Sequence, residues 1–160
     1  MDWYEITDRF HGESLKNDGD LAVLPEEWQR ELAALWRLEA DVNNGGYLQF
    51  LQNWGLQTYV HALAGLRKIG ANKMASVVEE CQRLVDQYTD ASLPEYERFQ
   101  NLMSNPILNR DGTVTTPPPS PIPDNILQMI DDLSYHFMDY PDDIATLGIE
   151  HYASHIPNKT

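Results

Sequence analysis

Glu39-Ala40-Asp41-Val42-Asn43-Asn44-Gly45-Gly46-Tyr47-Leu48-Gln49-Phe50-Leu51-Gln52-Asn53-Trp54-Gly55 is the stretch that decides the fold. Upstream of the glycines, Trp28, Leu32, Leu35 and Glu39 share one helical stripe, with Leu38 and Val42 beside it. Downstream, Tyr47, Phe50, Leu51 and Trp54 recur at i, i+3, i+4 and i+7, so a second helix begins at once. Asn43-Asn44-Gly45-Gly46 between them is a stop signal, because Asn and Gly tolerate the positive φ that a turning helix needs. Two aromatic-rich helices therefore meet with almost no loop and fold sharply against each other. Glu39, Asn44, Gly45, Gly46, Tyr47, Asn53 and Gly55 make up this structural corner. Glu39 and Asp41 stand within a turn of it, placed to accept hydrogen bonds from the exposed N–H groups that open the next helix.

Outward from the corner the chain reads as helix after helix. Residues 2–24 are acidic and weakly periodic; Trp3, Ile6 and Phe10 suggest one short helix or extended piece, and Glu13 to Asp20 a loop. Pro25-Glu26-Glu27 opens the helix before the corner, with proline at the first helical position and glutamates complementing the dipole. Gly55 ends the short helix after the corner, and Thr58–Ile69 carries Tyr59, Leu63, Leu66 and Ile69 inward. Met74, Val77, Val78, Cys81, Leu84, Val85 and Tyr88 give the cleanest amphipathic helix. Pro94 starts another, with Tyr96, Phe99, Leu102 and Met103 on one side. Asp111-Gly112 between short apolar runs predicts a small hairpin within 107–114. Thr115 to Pro123 holds five prolines and reads as an extended spacer, Pro118-x-x-Pro121 included. Two last helices follow: one from Asp124 buries Ile126, Ile130, Leu133 and Phe137, and one capped by Pro141-Asp142-Asp143 buries Ile144, Leu147, Gly148, Tyr152 and Ile156. The expected fold is a single all-α domain of about seven or eight helices with one small β-hairpin.

Composition narrows function. The 160 residues, 42% of them apolar, suffice for one core, and 25 acids against 11 Lys and Arg leave a net charge of −14. So acidic a chain disfavours direct nucleic-acid binding, which needs a basic patch, and is repelled by an anionic membrane surface. The start lacks a signal-peptide pattern and Cys81 stands alone, so a cytoplasmic protein without an intrachain disulfide is expected. Cys81 lies on the apolar stripe and reads as a small buried hydrophobe. His151 and His155 stand at i, i+4 beside Glu150, a spacing that can put two imidazoles on one metal. Glu150 precedes the first histidine, however, so the His-Glu-x-x-His order of metalloproteases is absent. Neither a phosphate loop nor a nucleophile elbow is present, and no metal, cofactor or catalytic residue is expected.

The segment Asn44-Gly45-Gly46-Tyr47-x-Gln49-Phe50-x-x-Asn53-x-Gly55, with Ala62-Leu63, Leu66 and Ile69-Gly70-Ala71 after it, resembles a family of small acidic bacterial DNA-mimic proteins. The resemblance covers about residues 25–90. It implies a protein that occupies the basic DNA-binding face of a transcription factor, with carboxylates in place of phosphates.

Charge is unevenly placed. Residues 1–36 hold nine acids and three bases, residues 37–119 nine acids and seven bases, and residues 120–160 seven acids and one base. The two ends thus carry −6 each and the family-like middle only −2. A globule of this length has a diameter near 39 Å, from a radius of gyration of about 15 Å. Duplex of that length carries about 23 phosphates, against a net 14 negative charges on one chain and 28 on a homodimer, so the quantity of charge is adequate for a mimic. The phosphate-mimicking carboxylates expected at the partner face are Asp131, Asp132, Asp139, Asp142, Asp143 and Glu150, with Glu13, Asp18 and Asp20 from the other end. The leading expectation is a non-catalytic, homodimeric DNA mimic that blocks a basic DNA-binding protein. The alternative is an immunity protein neutralising a basic toxin.

Overall fold

The computed structural model describes residues 2–156, which form seven α-helices and a two-stranded sheet. In order these are α1 (Trp3–Leu15), a 3₁₀ turn (Leu21–Val23), α2 (Glu27–Gly45), α3 (Tyr47–Lys68), α4 (Asn72–Tyr88), α5 (Glu95–Phe99), β1 (Ile107–Leu108), β2 (Val114–Thr115), α6 (Asp124–Met138) and α7 (Ile144–Tyr152). The helices share one core, drawn from every helix and dominated by aliphatic side chains of α2 and α4. Burying each of those fully is worth roughly 1.5–3 kcal/mol relative to exposure. The hairpin lies where Asp111-Gly112 puts it: Ile107 pairs with Thr115 and Leu108 with Val114, and Gly112 has φ 83°. Among the described residues no helix is long and apolar enough to cross a membrane.

Several boundaries differ from the sequence expectation. The N-terminal segment is a full helix of 13 residues rather than a short piece, because Asp2 and Glu5 close a capping box and Thr7, His11 and Ser14 find buried partners. Pro25 precedes α2 by two residues, and Glu26 is the N-cap, in a box with Gln29. Gly55 breaks the helix as expected (φ 71°, ψ −167°), but α3 resumes at Leu56 without a loop. The reason lies across the fold: Glu95 Oε1 accepts from the Leu56 N–H at 3.0 Å, capping the second half of α3 from α5. On that half the deepest face is Thr58, Ala62, Gly65 and Leu66 rather than Tyr59 and Leu63. Small residues are selected there because α2 approaches closely; a Cβ on Gly65 would stand 3.0 Å from Leu35 Cδ1. Tyr96 and Tyr88, expected inward, are exposed. Cys81 is buried, as expected, and burial pushes its thiol well above the usual range.

The corner between α2 and α3 is tight. Gly46 alone takes positive φ (86°, ψ 179°), a combination open essentially to glycine, while Gly45 closes α2 in helical conformation. The first N–H of α3, on Tyr47, donates to Ser134 Oγ of α6 at 3.0 Å, and the buried Tyr47 hydroxyl donates to Gln82 Oε1 at 2.6 Å. The expectation that Glu39 or Asp41 would cap this helix is not met. Asp41 instead accepts from the side chains of Gln49 (3.0 Å) and Asn53 (3.2 Å), and Glu39 faces α1.

A second joint sits at Arg37, which is 1% exposed and has no carboxylate within ion-pair distance among the described residues. Its Nη2 donates to Ser14 Oγ and the Gly19 carbonyl, both at 2.8 Å. Nη1 donates to Thr58 Oγ1 at 3.0 Å and Nε to His11 Nδ1 at 3.3 Å. The guanidinium carbon also lies 3.9 Å from the Trp54 ring centroid, and the His11 ring stacks on Trp36 at 3.8 Å. Burial lowers Arg37 to about 10, with Asp20 and Asp41 pulling the other way, so it stays charged at neutral pH. Burial, then the adjacent guanidinium, holds His11 down at about 4. His11 is therefore a neutral acceptor with its proton on Nε2.

Two measurements check this account. Gly70 has positive φ (83°) but open space around its Cα, whereas a Cβ on Gly55 would strike Glu95. Gly70→Ala should therefore cost only the left-handed strain of roughly 1–2 kcal/mol, and Gly55→Ala about 1 kcal/mol more through the lost cap, read by denaturant unfolding. For His11 the folded pKa lies below the unfolded 6.5, so its contribution to stability is complete above pH 6.5 and is lost as pH falls towards 4. The melting temperature of the native chain should fall more steeply across that window than that of His11→Gln; parallel curves would exclude a neutral buried His11.

Candidate functional site

The expected phosphate-mimicking carboxylates separate into two groups. Four of them serve the fold. Asp142 Oδ2 accepts from the Met74 N–H at 2.9 Å, in the first turn of α4. Asp143 caps α7 through the Thr146 N–H (3.1 Å) and hydroxyl (2.8 Å), bonds that hold its carboxyl below the usual range. Asp20 caps the 3₁₀ turn through the Ala22 N–H (2.9 Å) and also accepts from Gln57 (3.1 Å); these bonds likewise lower it. Glu13 lies 3.3 Å from Arg9 on its own helix. Asp20, Asp142 and Asp143 are held this way because a helix start leaves N–H groups that a carboxylate brought near satisfies.

The second group is Asp18, Asp131, Asp132, Asp139 and Glu150, all exposed and in no ion pair among the described residues. Asp131 and Asp132 lie on the solvent face of α6, opposite buried Ile126, Ile130 and Phe137, and Asp139 is exposed at its C-cap. Asp132 accepts only from Gln128, at 3.0 Å. Partial burial and the charge of Asp132 raise Asp131. Exposed Met129 and Tyr135 lie among these acids. Residues 120–156 contain seven acids and no Lys or Arg, so no cation within that segment offsets them.

The histidines near the C-terminus are taken up by aromatic packing. His155 stacks on Trp28 (5.5 Å, 19°), and His151 meets Tyr152 edge-on at 4.8 Å. Among the described residues no group of three or more His, Cys, Asp and Glu is gathered in a way that could hold a metal.

Among the described residues, clefts open at two joints of the fold. The larger, about 430 Å³, follows the Gly55 bend and is lined by Asn53, Trp54, Glu95, Tyr96 and Gln100, with Glu95 already engaged as a cap. The other, about 260 Å³, lies between α1, α2 and the α6–α7 joint. Its walls are Trp3, Tyr4, Trp36 and Tyr140, and Glu39 and Asn43 supply its polar groups. Glu39 Oε2 accepts from the Trp3 indole N–H at 2.7 Å, and Oε1 from the Tyr140 hydroxyl at 3.2 Å. Burial raises Glu39 above the usual carboxylate range against the pull of those two bonds. Asn43 Nδ2 donates to the Tyr140 oxygen at 2.9 Å, and Tyr140 itself sits at φ 50°. A bulky residue rarely takes that conformation.

Sequence reading placed Glu39 at the corner but not in this cleft. It missed Trp36 and Tyr140 altogether, because the cleft joins residues about 100 positions apart. A tyrosine directly before Pro141, between two helical patterns, was the available signal.

A family model described as DMP19-like protein matches residues 22–155. No curated protein and no solved structure matches the chain. The family match takes in the α2–α3 corner, the hairpin and both C-terminal helices. The chain belongs to the DMP19-like protein family.

Proposed function

We propose that this protein is a non-catalytic, cytoplasmic DNA mimic that binds the basic DNA-binding face of a transcription factor or similar protein and keeps DNA away. The single observation that carries the reading is the solvent face of α6. Asp131, Asp132 and Asp139 stand exposed there, without a cationic partner among the described residues, in a segment that has no Lys or Arg between 120 and 156. Asp131 and Asp132 are adjacent and Asp139 follows about two turns on, roughly 10–12 Å along the axis at about 1.5 Å per residue, so the acidic face extends over two turns. Like charges so placed repel and cost stability, a cost with no return in the isolated chain. An Arg- or Lys-rich surface recovers it through charge-assisted hydrogen bonds. Tyr135 and Met129 among the acids supply the aromatic and flexible contacts that interface centres favour. Two copies would carry −28 between them, and the active species in this reading is a homodimer.

Capture on immobilised protein at low salt, followed by elution with duplex DNA, tests the reading. The expected result is a DNA-binding protein released by the duplex. A toxin released by salt alone would favour the antidote reading. The triple change Asp131→Asn, Asp132→Asn and Asp139→Asn removes no side-chain cap bond, since Asp139 closes α6 through its backbone N–H alone, and should leave the melting temperature unchanged or raised. Affinity for the captured partner should fall at least about tenfold, or ~1.4 kcal/mol; unchanged affinity removes the α6 face from the contact. Light scattering on the purified chain should give twice the 18.3 kDa chain mass.

A further inference from the structure

We infer that the cleft between Trp3, Tyr4, Trp36 and Tyr140 is a cage for one cationic head group, the ammonium or guanidinium of a partner's lysine or arginine, seated on Glu39. This inference rests on the proposed function only for the partner's being basic.

Charge is the first indication. Glu39 is partly buried, and its two oxygens are held by neutral donors, the Trp3 indole and the Tyr140 hydroxyl. It forms no ion pair among the described residues, and no Lys or Arg lines the cleft. A carboxylate oxygen can accept two hydrogen bonds, so each keeps one position for an incoming N–H. The other acid buried in α2, Glu31, is treated differently: it accepts from the Tyr152 hydroxyl at 2.8 Å and is paired with Lys68. The fold thus supplies a cation to one buried glutamate and leaves the other without one, open to a cleft.

The walls point to the same chemistry. Four aromatic side chains present ring surface, which attracts a desolvated cation electrostatically. Tyr140 is fixed over Glu39 from the α6–α7 joint by Asn43, and Trp36 is fixed from behind by stacking on His11. Tyr4 is 65% exposed and stands at the rim. Size also discriminates. A space of about 260 Å³ falls below the roughly 300 Å³ at which drug-sized ligand sites begin. It greatly exceeds the roughly 30 Å³ share of one water. One amino-acid side chain suits it.

The test uses the full chain labelled with ¹⁵N, and follows the indole N–H signals of Trp3 and Trp36 as capped single residues are titrated in. N-acetyl-arginine methylamide and N-acetyl-lysine methylamide should shift the Trp3 signal saturably at millimolar concentration. The neutral N-acetyl-citrulline methylamide and N-acetyl-norleucine methylamide should bind at least about tenfold more weakly. Tyr4→Ala, at an exposed position that cannot unfold the chain, should weaken the cationic probes about two- to fivefold, the loss of one cation–π contact. Glu39→Gln keeps an acceptor for Trp3 and removes the charge, and should bring the cationic probes down to the neutral ones. A silent Trp3 signal, equal binding of the neutral probes, or full affinity in Glu39→Gln would each overturn the assignment. None of these results touches the α6 face, whose Asp131, Asp132 and Asp139 do not line the cleft. Failure of the cage and failure of the DNA-competition reading are therefore separable.

Discussion

Arg37 is the constraint on which the rest of the structure depends. A guanidinium removed from water must place its N–H groups on acceptors, and four of its five find them on three segments distant in sequence: α1, the turn at Gly19 and α3. No carboxylate stands opposite, so the charge is stabilised by neutral oxygens, a neutral imidazole and the face of Trp54. Satisfying it explains several features at once. α1 continues past Phe10 because His11 and Ser14 must reach the guanidinium, His11 stays unprotonated, and Thr58 rather than Tyr59 faces inward on α3. A hydrogen bond to a charged group contributes about 1.5–3 kcal/mol, and a partner left unmet in the interior costs comparably. The set therefore holds together or fails together.

The same economy governs the helix ends. Three of them are completed by groups from far along the chain: Ser134 for the start of α3, Glu95 for its second half and Asp142 for the start of α4. Each joins two elements that have no reason to meet by local propensity, and each replaces water on an N–H that would otherwise be orphaned. The sharp corners at Gly46 and Gly55 are workable because these remote acceptors wait at them. Glycine supplies the backbone conformation, and the tertiary partner supplies the hydrogen bond.

Acidity consequently has two meanings here. Asp20, Asp142 and Asp143 are bound to backbone N–H groups and belong to the fold, and Glu13 is offset by Arg9. Asp131, Asp132, Asp139 and Glu150 stand free on the surface, and Glu39 is free in a different sense, sheltered among aromatic rings. Net charge treats all of these alike. Only the first set is committed to backbone N–H groups or an ion pair within the chain, and the surface acids on α6 and α7 have neither among the described residues.

The sequence by itself determined the all-α class, the amphipathic stripes of α4 and α6, the Asp111-Gly112 hairpin, the breaks at Gly46 and Gly55, and the concentration of acid at the two ends. These are local properties: periodicity, turn chemistry and composition act over a few residues, so they can be read in one dimension. The family resemblance rested on the same kind of feature, the corner and its neighbours. Tertiary structure alone decided which acids are caps and which are free, that Arg37 is buried, and that Glu39 turns away from the corner into an aromatic cleft closed by Tyr140. Those outcomes depend on side chains up to about 100 residues apart meeting at 2.7–3.3 Å, and no local pattern encodes where such partners will stand.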